Sequence, residues 1–218
     1  METCKAEVRT IATLVNSYLG WSFLVLEYCH HGSLNSVLAD TEGFPDLSEK
    51  VRTRFMLDIG CGLAYLHSRQ RVHGDVKSLN VLVTRTLLCK LTDFDAGINM
   101  RLHDSDDSNV TKAFSAEWMA IEMVTDFASA SVATDVWAYG VVLWEIAAKQ
   151  LPFRTSKNTK ADICKRRMPE LDGSWPDIWR HLMVTAWAVE PRHRPDVDEM
   201  VAQLQKVVDG GELDMTTR

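Results

Sequence analysis

Residues 134–148 constrain the fold more than any other segment, because they predict a helix that is apolar almost all round. Trp137, Tyr139 and Trp144 lie within it among valine, leucine and isoleucine residues. A helix of this kind is stable only where other elements cover every side of it, so we expect it at the centre of a helical domain. We expect Pro152 to mark its end, since proline cannot continue a helix.

The rest of the chain predicts a mixed fold in which helices dominate. Apolar residues at a helical spacing predict a helix over Glu7–Leu14, and an apolar run predicts a buried strand over Phe23–Tyr28. Ser33 is the expected N-cap of a short helix, and Ser48 that of a long amphipathic helix. Later elements are predicted in this order: a hairpin over 81–83 and 89–91, a surface loop over 99–109, and helices over about 175–187 and 196–208.

The composition is that of a globular protein, with 46% hydrophobic and 25% charged residues. A formal net charge of −6 argues against general binding to nucleic acid or to an anionic membrane surface. No apolar run is long enough to cross a bilayer, and the N-terminal residues lack the apolar stretch of a signal peptide. Five scattered cysteines without a C-x-x-C pair predict neither a zinc site nor a disulfide framework, so we expect a cytoplasmic protein with reduced thiols.

The segment His73–Asn80 carries the residues that point to chemistry. It contains Asp75, Lys77 and Asn80, and a second aspartate, Asp93, follows after two short apolar runs. Phosphoryl transfer from a metal-bound nucleotide needs a carboxylate near the attacking hydroxyl and a cation near the transferred group. It also needs an amide oxygen and a second carboxylate to hold Mg²⁺. The order of these side chains therefore predicts phosphoryl transfer.

Three further segments follow in a fixed order: W-M-A-I-E over 118–122, D-V-W-A-Y-G-V-V-L-W-E over 135–145, and R-H-R-P over 192–195. Together with the segment His73–Asn80, which we call the catalytic loop, they resemble the protein kinase domain over nearly the whole chain. The resemblance is greatest to the tyrosine-kinase-like serine/threonine group. The resemblance implies an α+β fold that is mainly α. Residues 29–218 would form the large helical lobe, and residues 1–28 a remnant of the small lobe, with a helix and a strand leading to the hinge.

The resemblance also implies roles for single residues. Asp75 would be the catalytic base, and Lys77 would neutralise charge on the transferred phosphoryl group, as in serine/threonine kinases. Asn80 and Asp93 would bind Mg²⁺, so the implied cofactors are ATP and Mg²⁺. The residues implied around the adenine are Glu27 and Cys29 through backbone groups, Leu26 guarding the pocket behind, and Leu82 as its floor.

Five more residues receive structural or regulatory roles from the resemblance. Glu7 aligns with a helix glutamate that in the family normally pairs with a strand lysine. Ser115 lies where the family places a threonine that hydrogen-bonds the catalytic Asp and Lys. Glu122 would pair with Arg194. Asp135 would accept backbone hydrogen bonds from the catalytic loop, although a buried aspartate at a helix start is more often a simple cap.

The sequence also departs from the family pattern. Gly74 replaces the arginine of H-R-D, and Asp95 replaces the glycine of D-F-G. We expect the chain to lack a glycine-rich loop and a strand lysine, because only six residues precede Glu7. Apolar surface around Leu26, Leu82 and Phe94 is then expected to be under-covered.

Three functions remain open on this basis. The first is a protein serine/threonine kinase that acts on protein substrates, with this chain impaired. The second is a catalytically inactive pseudokinase or scaffold that binds partner proteins. The third is a small-molecule phosphotransferase, which the segment Trp118-Met119-Ala120 disfavours because it is typical of peptide-substrate docking.

Overall fold

The computed structural model describes residues 10–16, 21–44, 47–93, 116–154 and 156–210. Its strands are β1 (Thr10–Asn16), β2 (Trp21–Leu26), β3 (Val81–Val83) and β4 (Cys89–Leu91). Its helices are α1 (Leu34–Ala39), α2 (Glu49–Ser68), α3 (Ile121–Thr125), α4 (Val132–Ala148), α5 (Thr159–Cys164), α6 (Asp177–Ala186) and α7 (Val197–Gly210). β1 pairs with β2 and β3 with β4, both antiparallel. The prediction of an α+β fold that is mainly α is confirmed.

Helix α4 lies at the centre of the core, as its apolar sequence predicts. Val141, Val142 and Leu143 are completely buried, and α4 packs against both α2 and α6. The helix begins two residues earlier than predicted because Ser131 caps it in a reciprocal capping box. It ends at Ala148, ahead of Pro152, where Lys149 adopts a left-handed conformation with φ of 52°.

The predicted caps of the first two helices are both present. The Ser33 side chain accepts a hydrogen bond from the Ser36 backbone N–H at 3.2 Å, and Ser48 accepts one from Val51 at 3.3 Å. Each bond satisfies one of the backbone donors left free at a helix start. The apolar face of α2 is buried against the core through residues that include Phe55, Ile59 and Leu63.

The hairpin of β3 and β4 lies beside the segment that follows β2. Leu82 forms an isolated antiparallel bridge with Ser33. The His31 N–H donates to the Val83 carbonyl at 3.1 Å, and the Val83 N–H donates to the Gly32 carbonyl at 2.9 Å. These bonds fix the position of residues 27–33 relative to the hairpin that supports the catalytic loop.

The predicted helix over Glu7–Leu14 is wrong in its described part, because Thr10–Asn16 is strand β1. Four of its seven residues are β-branched, and such side chains lose rotamer freedom in a helix but pack well on a strand. Pairing with β2 favours the strand over the helix. The register of this pairing runs from Asn16 opposite Trp21 to Thr10 opposite Leu26. Strand β2 thus agrees with the strand expected over Phe23–Tyr28, whereas its partner is a strand where a helix was expected.

Two helices that the sequence did not predict are α3 and α5, of five and six residues. Segments this short carry too little periodicity to be recognised, and their stability comes from packing. The predicted loop over 99–109 lies outside the described residues. Within the part of the chain that is described, no helix is long and apolar enough to cross a membrane.

Candidate active site

The Asp135 carboxylate holds the start of the catalytic loop. Its Oδ2 accepts a hydrogen bond from the His73 backbone N–H at 2.8 Å, and its Oδ1 accepts one from the Gly74 backbone N–H at 2.9 Å. The ring of His67, from the last turn of α2, lies 2.9 Å from the same Oδ2. Asp135 therefore accepts hydrogen bonds from the first two backbone N–H groups of the loop, and it is not the cap of α4, which is Ser131.

Two of the predicted site residues, Lys77 and Asn80, converge on the carboxylate of a third, Asp75. Lys77 Nζ lies 2.7 Å from Asp75 Oδ2. The Asn80 amide nitrogen donates to the same Oδ2 at 3.0 Å and to the Asp75 backbone carbonyl at 2.8 Å. The side chains of Asp75 and Lys77 are 22% and 15% exposed, so they lie at the surface of the loop but are partly shielded from water.

His73 connects the catalytic loop to the segment that carries Asp93. Its Nε2 lies 3.1 Å from the Thr92 carbonyl, and its Nδ1 accepts a hydrogen bond from the Asp75 N–H at 3.3 Å. Burial lowers the pKa of His73 below its ordinary value, so the neutral ring with its proton on Nε2 fits both contacts. His73 is therefore a packed, hydrogen-bonded residue.

The backbone of Gly74 gives a physical reason for the departure from H-R-D. Its φ is +77°, in the left-handed region that glycine adopts without strain. A Cβ built at this position would lie 3.6 Å from the Ala130 Cβ, which is an ordinary contact. The backbone conformation, and not a lack of space, favours glycine here.

The predicted metal ligands Asn80 and Asp93 fit Mg²⁺ by their chemistry. Both bonds of the Asn80 side chain use its nitrogen, so its amide oxygen is the atom suited to bind a cation. Asp93 is exposed, and the adjacent Thr92 N–H donates to the Asn80 carbonyl at 3.0 Å. Mg²⁺ prefers such oxygen ligands and usually takes only one or two carboxylates beside phosphates and water. Among the described residues, no three His, Cys, Asp or Glu side chains form a metal cluster of another kind.

The residues predicted to surround the adenine lie at the end of β2, in the segment directly after it, and on β3. Leu26 is 41% exposed and Leu82 is partly buried, so both offer apolar surface. The Cys29 thiol is buried and lies 4.0 Å from the Glu27 carbonyl. The Glu27 side chain forms an ion pair that the sequence did not indicate. Its carboxylate lies 3.3 Å from Lys90 Nζ on β4.

Glu122 and Arg194, 72 residues apart, lie together in the interior. Arg194 donates to both carboxylate oxygens of Glu122 at 2.7 Å, and its guanidinium lies 4.9 Å from the centre of the Trp137 ring. It also donates to the carbonyls of Ala133 and Ala188. The pair therefore ties α3 to α4 and to the turn before α7. The predicted residues Glu7, Ser115, Phe94 and Asp95 lie outside the described residues.

Comparison with known proteins agrees with this arrangement. A family model described as protein tyrosine and serine/threonine kinase matches residues 4–204. The chain belongs to the protein kinase family. Members of this family generally use ATP and Mg²⁺ and act on proteins.

The kinase domain is similar to several curated kinases. It is 31% identical over 189 residues to mitogen-activated protein kinase kinase kinase 13-A of Xenopus laevis, covering 83% of this chain and 18% of that protein. It is 31% identical over 187 residues to serine/threonine/tyrosine-protein kinase HT1 of Arabidopsis thaliana, covering 84% of this chain and 46% of that protein. It is 30% identical over 188 residues to the RGS domain-containing serine/threonine-protein kinase A of Dictyostelium discoideum, covering 85% of this chain and 16% of that protein. The chain thus spans less than half the length of each of these relatives.

A buried glutamate joins the catalytic loop of this kinase domain to the turn Ala116–Trp118. Glu145 of α4 accepts a hydrogen bond from the Ser78 hydroxyl at 2.6 Å and one from the Trp118 indole N–H at 2.8 Å. Burial raises the pKa of its carboxyl to about 7, although both hydrogen bonds act to lower it. Sequence reasoning missed this contact, and the signal for it was a charged residue in the second half of α4, which is otherwise uncharged.

The raised pKa of Glu145 predicts a pH-dependent stability. In the unfolded chain its pKa returns to about 4.3, so between the two values the folded state keeps a proton that the unfolded state has lost. This contribution is fully present below the unfolded pKa and is lost as pH rises through about 7. We expect the free energy of unfolding to fall by about 2–3 kcal/mol between pH 5 and pH 8 for this reason.

Urea unfolding at a series of pH values checks this, with Glu145→Gln as the test variant. The variant should lack the decline, whereas Glu199→Gln, which neutralises an exposed glutamate on α7, should keep it. Parallel pH profiles for wild type and Glu145→Gln would contradict the assignment.

Proposed function

We propose that this chain is the catalytic part of a protein serine/threonine kinase, which transfers the γ-phosphoryl group of ATP to a Ser or Thr hydroxyl of a protein. The observation that carries the proposal is the convergence of Lys77 and Asn80 on Asp75 Oδ2, at 2.7 and 3.0 Å. The base, the cation and a metal-binding amide are thereby fixed in one loop. In the same proposal, residues 1–28 belong to the small lobe, residues 29–218 form the large lobe, and the protein acts in the cytoplasm.

Each side chain then has a defined task. Asp75 Oδ2 is engaged by Lys77 and Asn80, which leaves Oδ1 to accept the proton of the attacking hydroxyl. The hydroxyl oxygen bonds to the γ-phosphorus as the bond to the bridging oxygen of ADP breaks. The positive charge of Lys77 can stabilise negative charge on the transferred group. Asn80 and Asp93 would hold Mg²⁺, which when bound neutralises charge on the phosphates.

The backbone supports this chemistry because it holds Asp75 in one position. The loop is anchored at its start by Asp135, through His73 and Gly74, and at its end by Glu145, through Ser78. Positioning supplies much of the rate enhancement in phosphoryl transfer, so a loop fixed at both ends suits a catalytic carboxylate.

Replacing Asp75 with asparagine tests the function. The purified chain should phosphorylate a basic Ser/Thr peptide in the presence of Mg²⁺ and ATP, and Asp75→Asn should lower the rate at least about a hundredfold, because general base catalysis typically contributes that much or more. The measurement is transfer of radiolabelled phosphate. The same peptide with tyrosine as the acceptor should be a poorer substrate.

The matched control is Asp198→Asn, which removes one exposed carboxylate on α7 and should leave the rate unchanged. Binding is measured separately, as a rise in melting temperature with saturating Mg-ATP. A wild-type chain that shows neither transfer nor a melting shift would contradict the catalytic proposal and favour the non-catalytic alternative, a scaffold that binds partner proteins.

A further inference from the structure

The segment 154–167, between α4 and α6, has a charge opposite to that of the chain. It contains six basic residues and one acid, Asp162, and so carries a net charge of +5. The whole chain carries −6, so the other 204 residues carry −11. The basic residues, which we call the α5 basic surface, are Arg154, Lys157, Lys160, Lys165, Arg166 and Arg167, and all six are exposed.

The acid of this segment is already engaged. The Asp162 carboxylate accepts a hydrogen bond from the Ser156 hydroxyl at 2.6 Å, and its other oxygen lies 3.4 Å from Arg167. The Arg167 side chain remains 66% exposed in this contact, so the ion pair is weak. Asp162 therefore orders the segment without neutralising the field of the six cations.

The fold packs α5 against two elements that contribute residues to the cavity at Asp75. Ile163 is completely buried and anchors the helix, which packs against α3 and against the turn Ala116–Trp118. Trp118 and Met123 line the same small cavity as Asp75. The elements that α5 packs against thus share a cavity with the residue proposed to meet the substrate hydroxyl.

We propose that the α5 basic surface binds an acidic segment of the protein substrate, away from the phosphorylated residue. This inference rests on the proposed kinase function and deepens it by naming a substrate class. Charge complementarity selects the occupant: the strongly negative remainder of the chain repels an acidic segment, whereas six exposed cations in fourteen residues attract it. A substrate held here would present its Ser or Thr at a higher local concentration to Asp75.

The direct test is peptide binding without nucleotide. The probe is a fluorescein-labelled twelve-residue peptide with six glutamates, and its reference is the same peptide with six glutamines. Fluorescence anisotropy should show binding of the glutamate peptide only, and this binding should weaken as salt is raised towards 0.5 M. Equal binding of both peptides would overturn the proposal.

Charge-neutralised variants locate the binding. The triple variant Lys157→Gln, Lys160→Gln and Arg166→Gln should weaken binding of the glutamate peptide about tenfold or more, since it removes half of the cations. The matched control, Lys50→Gln, Arg85→Gln and Lys206→Gln, removes the same charge from exposed positions elsewhere and should change the dissociation constant less than about twofold. Equal losses in the two triples would mean that net charge, and not this surface, governs binding, and would overturn the proposal.

Two further readouts complete the design. Asp75→Asn should keep peptide binding while it loses transfer, so failure of the docking proposal and failure of the kinase proposal give different results. Joining the acidic segment to a Ser/Thr substrate should lower KM with kcat unchanged, and the α5 triple should cancel that gain. Tighter binding of a twelve-nucleotide single-stranded RNA than of the peptide, lost in the same triple, would assign the surface to nucleic acid instead.

Discussion

Replacing Glu122 with glutamine is expected to lower the free energy of unfolding by about 3–5 kcal/mol, the usual cost of leaving a buried charge unpaired. The Arg194 side chain is 1% exposed and that of Glu122 is 13% exposed, so solvent cannot replace the lost carboxylate. Glutamine keeps the shape of the side chain and one acceptor oxygen, but it removes the negative charge and one of the two strong hydrogen bonds at 2.7 Å.

Equilibrium unfolding in urea measures this loss. Glu199→Gln is the matched control, because it makes the same change at an exposed position on α7 and should shift stability by less than about 0.5 kcal/mol. If the two variants lose the same amount, the buried pair does not stabilise the domain in the way its geometry indicates.

Replacing Asp135 with alanine is expected to lower the free energy of unfolding by roughly 3–5 kcal/mol and to loosen the catalytic loop. The change leaves the backbone N–H groups of His73 and Gly74 without their acceptors, and each buried unsatisfied donor costs about 1–3 kcal/mol. It also removes the partner of His67. Because the same two N–H groups start the loop that carries Asp75, transfer activity should fall more than global stability alone explains.

Hydrogen exchange separates this prediction from a general loss of stability. The amides of His73 and Gly74 should lose protection in Asp135→Ala under conditions where the amides of α2 remain protected. Asp198→Ala, at an exposed position, should leave both regions unchanged. Loop amides that stay protected in Asp135→Ala would show that other contacts hold the loop.

The helical elements could be predicted where one physical signal dominated. The central position of α4 followed from its apolar surface, and the starts of α1 and α2 followed from serine caps. Strand β1 could not be predicted, because its apolar residues also fit a helical period and only pairing with β2 resolves the two. The short helices α3 and α5 depend on packing that no local pattern records.

The candidate site shows the same division. Asp75, Lys77 and Asn80 lie within six residues of one another, so local spacing was enough to name them together. The contacts of Glu145 with Ser78 and Trp118, and of Asp135 with His67, join residues far apart in the chain. Nothing in a local window indicates which distant donor a buried carboxylate will meet, so only the folded structure defines these contacts.

By itself, the sequence determined the family, the mainly helical fold and the short catalytic loop, since each depends on residue type and near spacing. Only the tertiary structure decided that β1 is a strand, that Gly74 has a left-handed backbone, and that α5 packs against elements that share a cavity with Asp75. The physical reason is that burial, backbone strain and the direction of a charged surface depend on contacts between residues distant in the chain.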